Sequence, residues 1–323
     1  MIHRLTRRNL LNAGLWMSLG FDSLPLHATQ PATREFATTS YLKPALNVFS
    51  FLELLNANLK DPKIGIDLFG VFDFAAKLNF DAVDITGYFF PGYPKSPEDQ
   101  FINRVKWHLQ HLGLDISGTG VRNDFATADK SVREEGVRLT KEWIEVAARL
   151  GAPVIRVFAG PQPPHKDWKS ASGNANRDEV EDWMAESLRE CANHGMKFGV
   201  QVAVQNHGDF LSTGPEHLSL LKRVDHRWCG ALVDSGKYLT DDPYSDIALM
   251  GPHAINWQIK ETLGSSLKSQ RTDYRKLIQI IHAGGYRGYL PIETLSMGRK
   301  DYDPKSEVAA ALVQLRQAIA AVE

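Results

Sequence analysis

From residue 45 onward the chain alternates short β-rich runs with longer stretches of helical period. The runs are Ala45–Ser50, Ala82–Thr86, Asp115–Thr119, Val154–Phe158, Gly199–Gln205, Gly230–Asp234, Ala254–Lys260 and Gly288–Glu293. Several are nearly continuous in apolar residues, as in Val154-Ile155-Arg156-Val157-Phe158, which is how strands buried on both faces of a parallel sheet read. Between them, Leu139, Trp143, Val146, Ala147 and Leu150 fall on one helical face, and Val308, Ala311, Leu312, Leu315 and Ile319 repeat the pattern near the end. Trp107 and Trp143 both sit on helical faces and are expected in the core. Gly113, Gly151, Gly195 and Gly285 each read as a helix stop before a strand. Strand starts recur roughly every 30–40 residues, the length of one βα unit. Eight such units predict an α/β chain folded as a single (β/α)8 barrel over residues 45–323, with no second domain. An open doubly wound sheet is the alternative. No Gly-x-Gly-x-x-Gly follows the first strand and no phosphate-binding glycine loop occurs, so no nucleotide cofactor is expected.

The first residues follow a different pattern. Arg7 and Arg8 lie between Thr6 and the apolar pair Leu10–Leu11, an apolar stretch continues to Phe21, and Leu26-His27-Ala28 offers a small-residue cleavage site. This resembles a bacterial twin-arginine export signal over residues 1–28, followed by a polar linker over residues 29–44. The competing reading is an amphipathic N-terminal helix or a retained anchor. Export predicts a periplasmic protein, which favours a bound cofactor and disfavours a phosphorylated substrate. In that compartment Cys191 and Cys229 can pair, but two small buried hydrophobes are the simpler expectation.

Composition narrows the function classes. Lys plus Arg number 37 and Asp plus Glu 38, a net charge of −1, which argues against nucleic-acid partners and against a polybasic membrane surface. No apolar run reaches about 18 residues, so no membrane span is expected in the mature protein. Two cysteines exclude a disulfide scaffold and a Cys-rich zinc module.

In such barrels, chemistry sits at the C-terminal ends of the strands. Gln205, Asp234, Gln258 and Glu293 lie near the ends of the last four runs in succession. Four converging oxygen donors suit a hard divalent cation, Mn²⁺ first, with Mg²⁺, Co²⁺ or Zn²⁺ as alternatives. The plainer reading is a set of hydrogen-bonded structural groups. Lys260 follows Gln258 by two and shares its side of the strand, where it can hold a substrate oxygen or donate a proton. His207 follows Gln205 by two and is a candidate acid or base. Arg156, a charge inside an apolar strand, must be paired or face the barrel mouth. Tyr88, in an aromatic loop running to Tyr93, is a candidate ring platform for a substrate, the plainer reading being aromatic packing.

At these positions the sequence resembles the xylose-isomerase-like barrel superfamily of sugar isomerases, epimerases and inosose dehydratases, with apurinic endonucleases as distant relatives. The resemblance covers about residues 45–320. It rests on Gln205-Asn206-His207, Asp234-Ser235-Gly236-Lys237, Gln258-Ile259-Lys260-Glu261 and Ile292-Glu293-Thr294, where relatives show Glu-Asn-His, Asp-Thr-Gly-His, His-x-Lys-Asp and a closing Glu. The resemblance implies metal ligation by Gln205, Asp234, Gln258 and Glu293. It implies an acid or base role for Glu293 and a substrate contact at Lys237; Lys260 and His207 stand beside these as candidates for catalysis, and Arg156, Asn206 and Tyr88 as candidates for substrate contact, from their places at the strand ends. Three departures stand out. Gln205 replaces a glutamate, Gln258 replaces a histidine (the hydroxypyruvate-isomerase branch also has Gln there), and Lys237 replaces a histidine. An amide takes no proton at neutral pH, so the family's two-glutamate proton shuttle cannot run unchanged.

The implied reaction is metal-dependent proton abstraction next to the carbonyl of a non-phosphorylated keto-sugar or glycoside. It leads to isomerisation, epimerisation or β-elimination. The partner is a small-molecule sugar, and a homo-oligomer is compatible. The alternative from another class is a periplasmic carbohydrate-binding protein that kept the fold and lost the chemistry. A nuclease of the same fold is disfavoured by the charge and by the absence of a His-rich ligand set.

Overall fold

The structure is a computed structural model that describes residues 41–161, 167–208, 210–264 and 270–322. The export signal over residues 1–28 and most of the linker lie outside the described residues. Eight parallel strands form the centre: β1 (Leu42–Asn47), β2 (Ala82–Thr86), β3 (Asp115–Gly120), β4 (Val154–Phe158), β5 (Gln201–Gln205), β6 (Cys229–Asp234), β7 (Ala254–Gln258) and β8 (Gly288–Ile292). They follow one another around the sheet in chain order, with β8 beside β1. A parallel bridge from Ile259 to Ile292 joins β7 to β8 and closes the barrel. This near-closure leaves little open sheet edge, which suits strands that are apolar on both faces. The registers pair Phe158 with Gln205 and Asp234 with Gln258, which brings the polar strand ends to one rim.

The expected runs and the observed strands agree closely, with two instructive differences. β1 starts three residues early and stops at Asn47, whose side chain accepts from the Phe49 amide at 2.9 Å and caps a 3₁₀ turn over Val48–Phe51. That turn carries the chain off the rim sooner than the apolar pattern implied. After β7, a two-residue hairpin pairs Thr262–Leu263 with Gln270–Arg271, which the hydrophobic pattern did not reveal.

The helices pack outside the barrel. Lys130–Leu150 starts at Asp129, whose carboxylate accepts from the Ser131 amide, and ends at Gly151 with φ +84°. Its Trp143 is fully buried and donates to the Pro94 carbonyl at 2.9 Å. Trp107 does not join the core: it is 60% exposed and lies against His111, 4.0 Å between ring centres. Its position falls on the outer side of helix Asp99–Leu112, whose buried stripe is Ile102, Val105 and Leu109. Gly195 is not a helix stop either. The helix Arg177–Phe198 runs past it to Gly199. A Cβ at Gly195 would sit 2.2 Å from the Val200 carbonyl oxygen, so glycine there admits the incoming strand. Cys191 is buried, Cys229 is half-buried, and both are free thiols. Among the described residues no helix is long and apolar enough to cross a membrane.

The barrel interior has an apolar plug of Val154, Ala203 and Leu232 packed against Ile255. Across from it sits a buried carboxylate. Asp84 of β2 accepts from Ser117 Oγ and Asn256 Nδ2, both at 3.4 Å. Gly118 makes the room, since a Cβ there would lie 2.7 Å from the carboxylate. Burial pushes the Asp84 carboxyl up to about 6, with the charge of Arg156 opposing. The folded protein therefore holds this proton more tightly than the unfolded chain. Ionising Asp84 costs stability progressively as pH rises from about 4 through about 6. Asp84→Asn should then be more stable than the parent above pH 7, by up to about 3 kcal/mol at ~1.4 kcal/mol per tenfold change in proton affinity. Urea unfolding across pH 4–8 checks this: the advantage should vanish near pH 4, and a pH-independent difference contradicts it.

Candidate active site

At the C-terminal rim, four strands contribute to one buried hydrogen-bonded chain. Asp234, the last residue of β6, is fixed first. Asn206 Nδ2 donates to the Asp234 carbonyl at 2.9 Å, and the Asp234 amide donates to Asn206 Oδ1 at 2.7 Å. Asn206 is thus fully buried and committed to the backbone; its place is behind the site, holding Asp234, rather than against a substrate. Asp234 Oδ1 accepts from the Gly236 amide at 3.0 Å. Its Oδ2 accepts from Gln205 Nε2 at 2.9 Å. The same nitrogen donates to Gln258 Oε1 at 2.5 Å, and Gln258 Nε2 donates to Glu293 Oε2. Lys260 Nζ donates to Glu293 Oε1 and lies 3.7 Å from Asp234 Oδ2, closing the ring.

Gln205, Asp234, Gln258, Lys260 and Glu293 are all buried. Two carboxylates in such a place need a cation, and Lys260 supplies one. Its backbone is held on both sides: the Lys260 amide donates to Ser235 Oγ at 2.9 Å, and Thr272 Oγ1 donates to the Lys260 carbonyl at 2.6 Å. Burial pushes the ammonium down to about 8, while the Asp234 charge holds it up and Lys237 adds to the lowering.

The facing wall is cationic and aromatic. Arg156 of β4 points into the barrel, as its position inside an apolar strand required. Its Nη1 donates to the Val121 carbonyl at 2.7 Å. Its guanidinium lies 4.1 Å from the centre of the Phe158 ring and 5.4 Å from that of Tyr88. Tyr88 is half-buried, also carries the Arg122 guanidinium at 4.4 Å, and packs edge-on against Tyr93. His207 is half-buried with its ring 4.7 Å from Phe158. Desolvation, then the charges of Lys237, Arg156, Lys260 and Arg122, push His207 down to about 3. It is therefore neutral at pH 7, a hydrogen-bonding imidazole and a poor general base. Lys237 is half-buried just beyond Asp234. Two positions that sequence reasoning passed over shape this wall. Phe158 is the ring on which Arg156 and His207 both rest. Gly120 is the residue whose Cβ would strike the Arg156 guanidinium at 2.7–2.8 Å. A glycine at a strand end opposite a lone arginine is the one signal that pointed there.

A cavity of about 710 Å³ opens beside this rim, with Lys237, Lys260 and Glu293 on the barrel side and Leu239, Tyr274 and Met297 among its other walls. That is within the range of small-molecule sites, roughly 300–1,000 Å³.

The donor set fits a hard divalent ion in kind. It offers two carboxylates and two carboxamide oxygens, without the thiolates or imidazoles that favour zinc. Among the described residues no group of three or more His, Cys, Asp or Glu side chains is placed to hold a metal, so a metal here depends on the two amides. Gln205 and Gln258 now present nitrogen to the carboxylates, and Lys260 neutralises Glu293. Metal binding must turn both amides and displace the ammonium.

An eight-stranded parallel barrel with its polar side chains gathered at the C-terminal rim defines a TIM barrel. The chain belongs to the xylose isomerase-like TIM barrel family, whose profile matches residues 72–318. No curated protein sequence matches the chain. Among solved structures it is similar to a D-psicose 3-epimerase from Clostridium cellulolyticum H10, at 16% identity and a TM-score of 0.68, covering 86% of this chain and 99% of that one. It is also similar to a xylose isomerase domain protein from Alicyclobacillus acidocaldarius, at 18% identity and a TM-score of 0.66, covering 87% and 99%. A third is a 3-keto-D-glucoside 4-epimerase from E. coli, at 16% identity and a TM-score of 0.63, covering 86% and 100%. At these identities the likeness is one of fold.

Since Lys260 competes for the same carboxylates, Lys260→Met should bind Mn²⁺ at least about tenfold more tightly than the parent, about 1.4 kcal/mol, from relief of charge repulsion near 4 Å. Glu293→Ala should bind less than either. Titration calorimetry reads both; unchanged affinity in Lys260→Met contradicts this arrangement.

Proposed function

We propose that the chain is a sugar isomerase- or epimerase-like enzyme that abstracts a proton next to the carbonyl of a keto-sugar or keto-glycoside. The observation that carries this reading is the buried contact between the Glu293 carboxylate and the Lys260 ammonium at the barrel mouth. It sets a base beside an acid, both buried, at the wall of a cavity large enough for a small molecule.

In this mechanism the substrate enters between that pair and the Arg156–His207 wall. A substrate carbonyl oxygen takes the Lys260 ammonium from Glu293. The freed carboxylate then accepts the proton from the adjacent carbon, while Lys260 holds the developing oxyanion. Gln205 stands where relatives carry a glutamate and cannot take a proton, so Lys260 is the second proton-handling group. Neutral His207 hydrogen-bonds a hydroxyl, and Tyr88 offers a ring face. Return of the proton gives isomerisation or epimerisation, and loss of a β-substituent gives elimination. A divalent ion such as Mn²⁺, held by Asp234, Glu293 and the oxygens of Gln205 and Gln258, would supply further positive charge at the carbonyl. The cavity next to Lys260 and Glu293 leaves room for a glycosidic substituent. Export through residues 1–28 belongs to the same proposal and would bring the enzyme to non-phosphorylated sugars.

The test is hydrogen exchange in deuterated water. Keto-hexoses and 3-keto-glucosides are incubated with the purified protein, and deuterium at the carbon beside the carbonyl is read by NMR. Glu293→Gln should lower exchange by about a thousandfold and Lys260→Met by about a hundredfold, within the range for loss of a positioned acid or base. The rate should fall above pH ~8 as the Lys260 ammonium, charged only below its pKa, is lost. Exchange in Glu293→Gln at the parent's rate overturns the mechanism. Sugar binding without exchange in the parent favours a carbohydrate-binding protein instead.

A further inference from the structure

The cavity of about 710 Å³ is larger than a single pyranose ring needs, and its walls change in character along its length. Buried Lys260 and Glu293 stand at one end, and exposed Leu239 and Met297 form the lip. Glu261 lines it between them. This residue follows Lys260 directly, at the foot of the hairpin that pairs Thr262–Leu263 with Gln270–Arg271. Its carbonyl accepts from the Thr272 amide at 2.9 Å, which fixes its backbone. Its Oε1 is shut off from water and has no hydrogen-bond partner. The neighbouring cations are spent elsewhere: Lys260 is taken by Glu293, and Arg299 pairs at 2.8 Å with Glu307, the other carboxylate on this outer wall. A buried acceptor with nothing to accept is costly, and at a cavity wall a ligand that donates completes it. The lip is apolar without being core. Met297 is 75% exposed and Leu239 45%. Met297 lies among Ser296, Gly298, Arg299 and Lys300, in a segment otherwise polar. It holds φ +46°, and Gly298 follows at +81°. A left-handed methionine is strained, since its Cβ crowds the backbone. The turn made at that cost keeps Met297 out of the core and on the cavity wall.

We propose that this cavity is the subsite for a second sugar ring, so that the substrate is a keto-glycoside of disaccharide size. This rests on the proton-abstraction reading for the first ring, whose carbonyl end is at Lys260 and Glu293, but the subsite is read by binding and needs no turnover. The C–H face of the second ring lies on Met297 and Leu239, and one of its hydroxyls donates to the Glu261 carboxylate. A sugar ring offers both surfaces at once, donor hydroxyls around its edge and C–H groups on its face. An aryl substituent offers only the apolar one and leaves Glu261 unpaired. Glu261, Met297 and Leu239 then set specificity without taking part in the proton transfer.

The test compares D-glucose, phenyl β-D-glucoside and three disaccharides of different linkage (trehalose, maltose and cellobiose) by titration calorimetry, with the folded state of each variant verified by circular dichroism. At least one disaccharide should bind about tenfold or more tightly than glucose, and more tightly than the phenyl glucoside, the scale of one hydrogen bond to a charged acceptor together with a buried apolar contact. Glu261→Met keeps the length of the side chain and removes the acceptor, and should reduce that preference about fivefold or more. Met297→Asn keeps a residue that tolerates left-handed φ and removes the apolar contact, and should reduce it about twofold or more. Met297 is on the surface, so its substitution keeps the test open where Glu261→Met fails to fold. Equal binding of glucose and every disaccharide, binding of no sugar, a phenyl glucoside tighter than every disaccharide, or a preference that survives Met297→Asn in full overturns the proposal. Deuterium exchange is read separately. Exchange without a gain from the second ring removes only the subsite, and a gain without exchange removes only the proton-abstraction reading.

Discussion

The ion pair between Lys260 and Glu293 is the constraint on which the rest of this site depends. Both groups are buried at the C-terminal rim, where an isolated charge of either sign is too costly to keep. Once paired, they let two carboxylates and two amides pack into one ring in which every partner is named: Asp234 to Gln205, Gln205 to Gln258, Gln258 to Glu293, Glu293 to Lys260. Removing either end leaves an unpaired charge in the barrel. In the proposed reaction the same pairing supplies the base, since a carboxylate whose counter-ion is drawn away by a substrate oxygen is freed to take a proton.

The backbone prepares this pair. The registers of β5 to β8 bring four strand ends to the same rim, with Gln205 beside Leu232 and Asp234 beside Gln258, and the bridge from Ile259 to Ile292 draws β7 against β8 just before Lys260 and Glu293. Ser235 and Thr272 pin the Lys260 backbone, and Asn206 pins that of Asp234. Precise placement of an acid–base pair comes from such supporting bonds more than from the pair itself.

Much of this was legible in the amino-acid sequence. The eight apolar runs marked the strands because a strand buried on both faces has no room for polar alternation. The ends of the last four runs marked Gln205, Asp234, Gln258 and Glu293 because the barrel's topology fixes where strand ends meet. The position of Lys260 two residues beyond Gln258 placed both on one side of the strand. What escaped depends on contacts between distant segments. Asn206 stands next to site residues yet turns to clamp Asp234. Gly120 matters only because Arg156 arrives from the next strand. Trp107 lies on the solvent side of its helix, where a single exposed aromatic cannot be told from a core one by residue type. The small hairpin after β7 has no hydrophobic pattern of its own. His207 is the subtlest case: its neighbourhood to the site is visible, but the burial that chiefly depresses it, and the four cations that add to this, come from separate loops and strands.

The central claim is that Lys260 is an ammonium buried against Glu293 and poised to lose its proton near neutrality. Nitrogen-15 NMR of lysine-labelled protein, with the Lys260 resonance assigned by Lys260→Arg, measures this directly. The account predicts a side-chain titration with a midpoint near 8, well under the ordinary 10.5, and, from the contact between Nζ and the Glu293 carboxylate, a further fall when Glu293→Gln removes that charge. A Lys260 that titrates near 10.5 and ignores Glu293→Gln would contradict it.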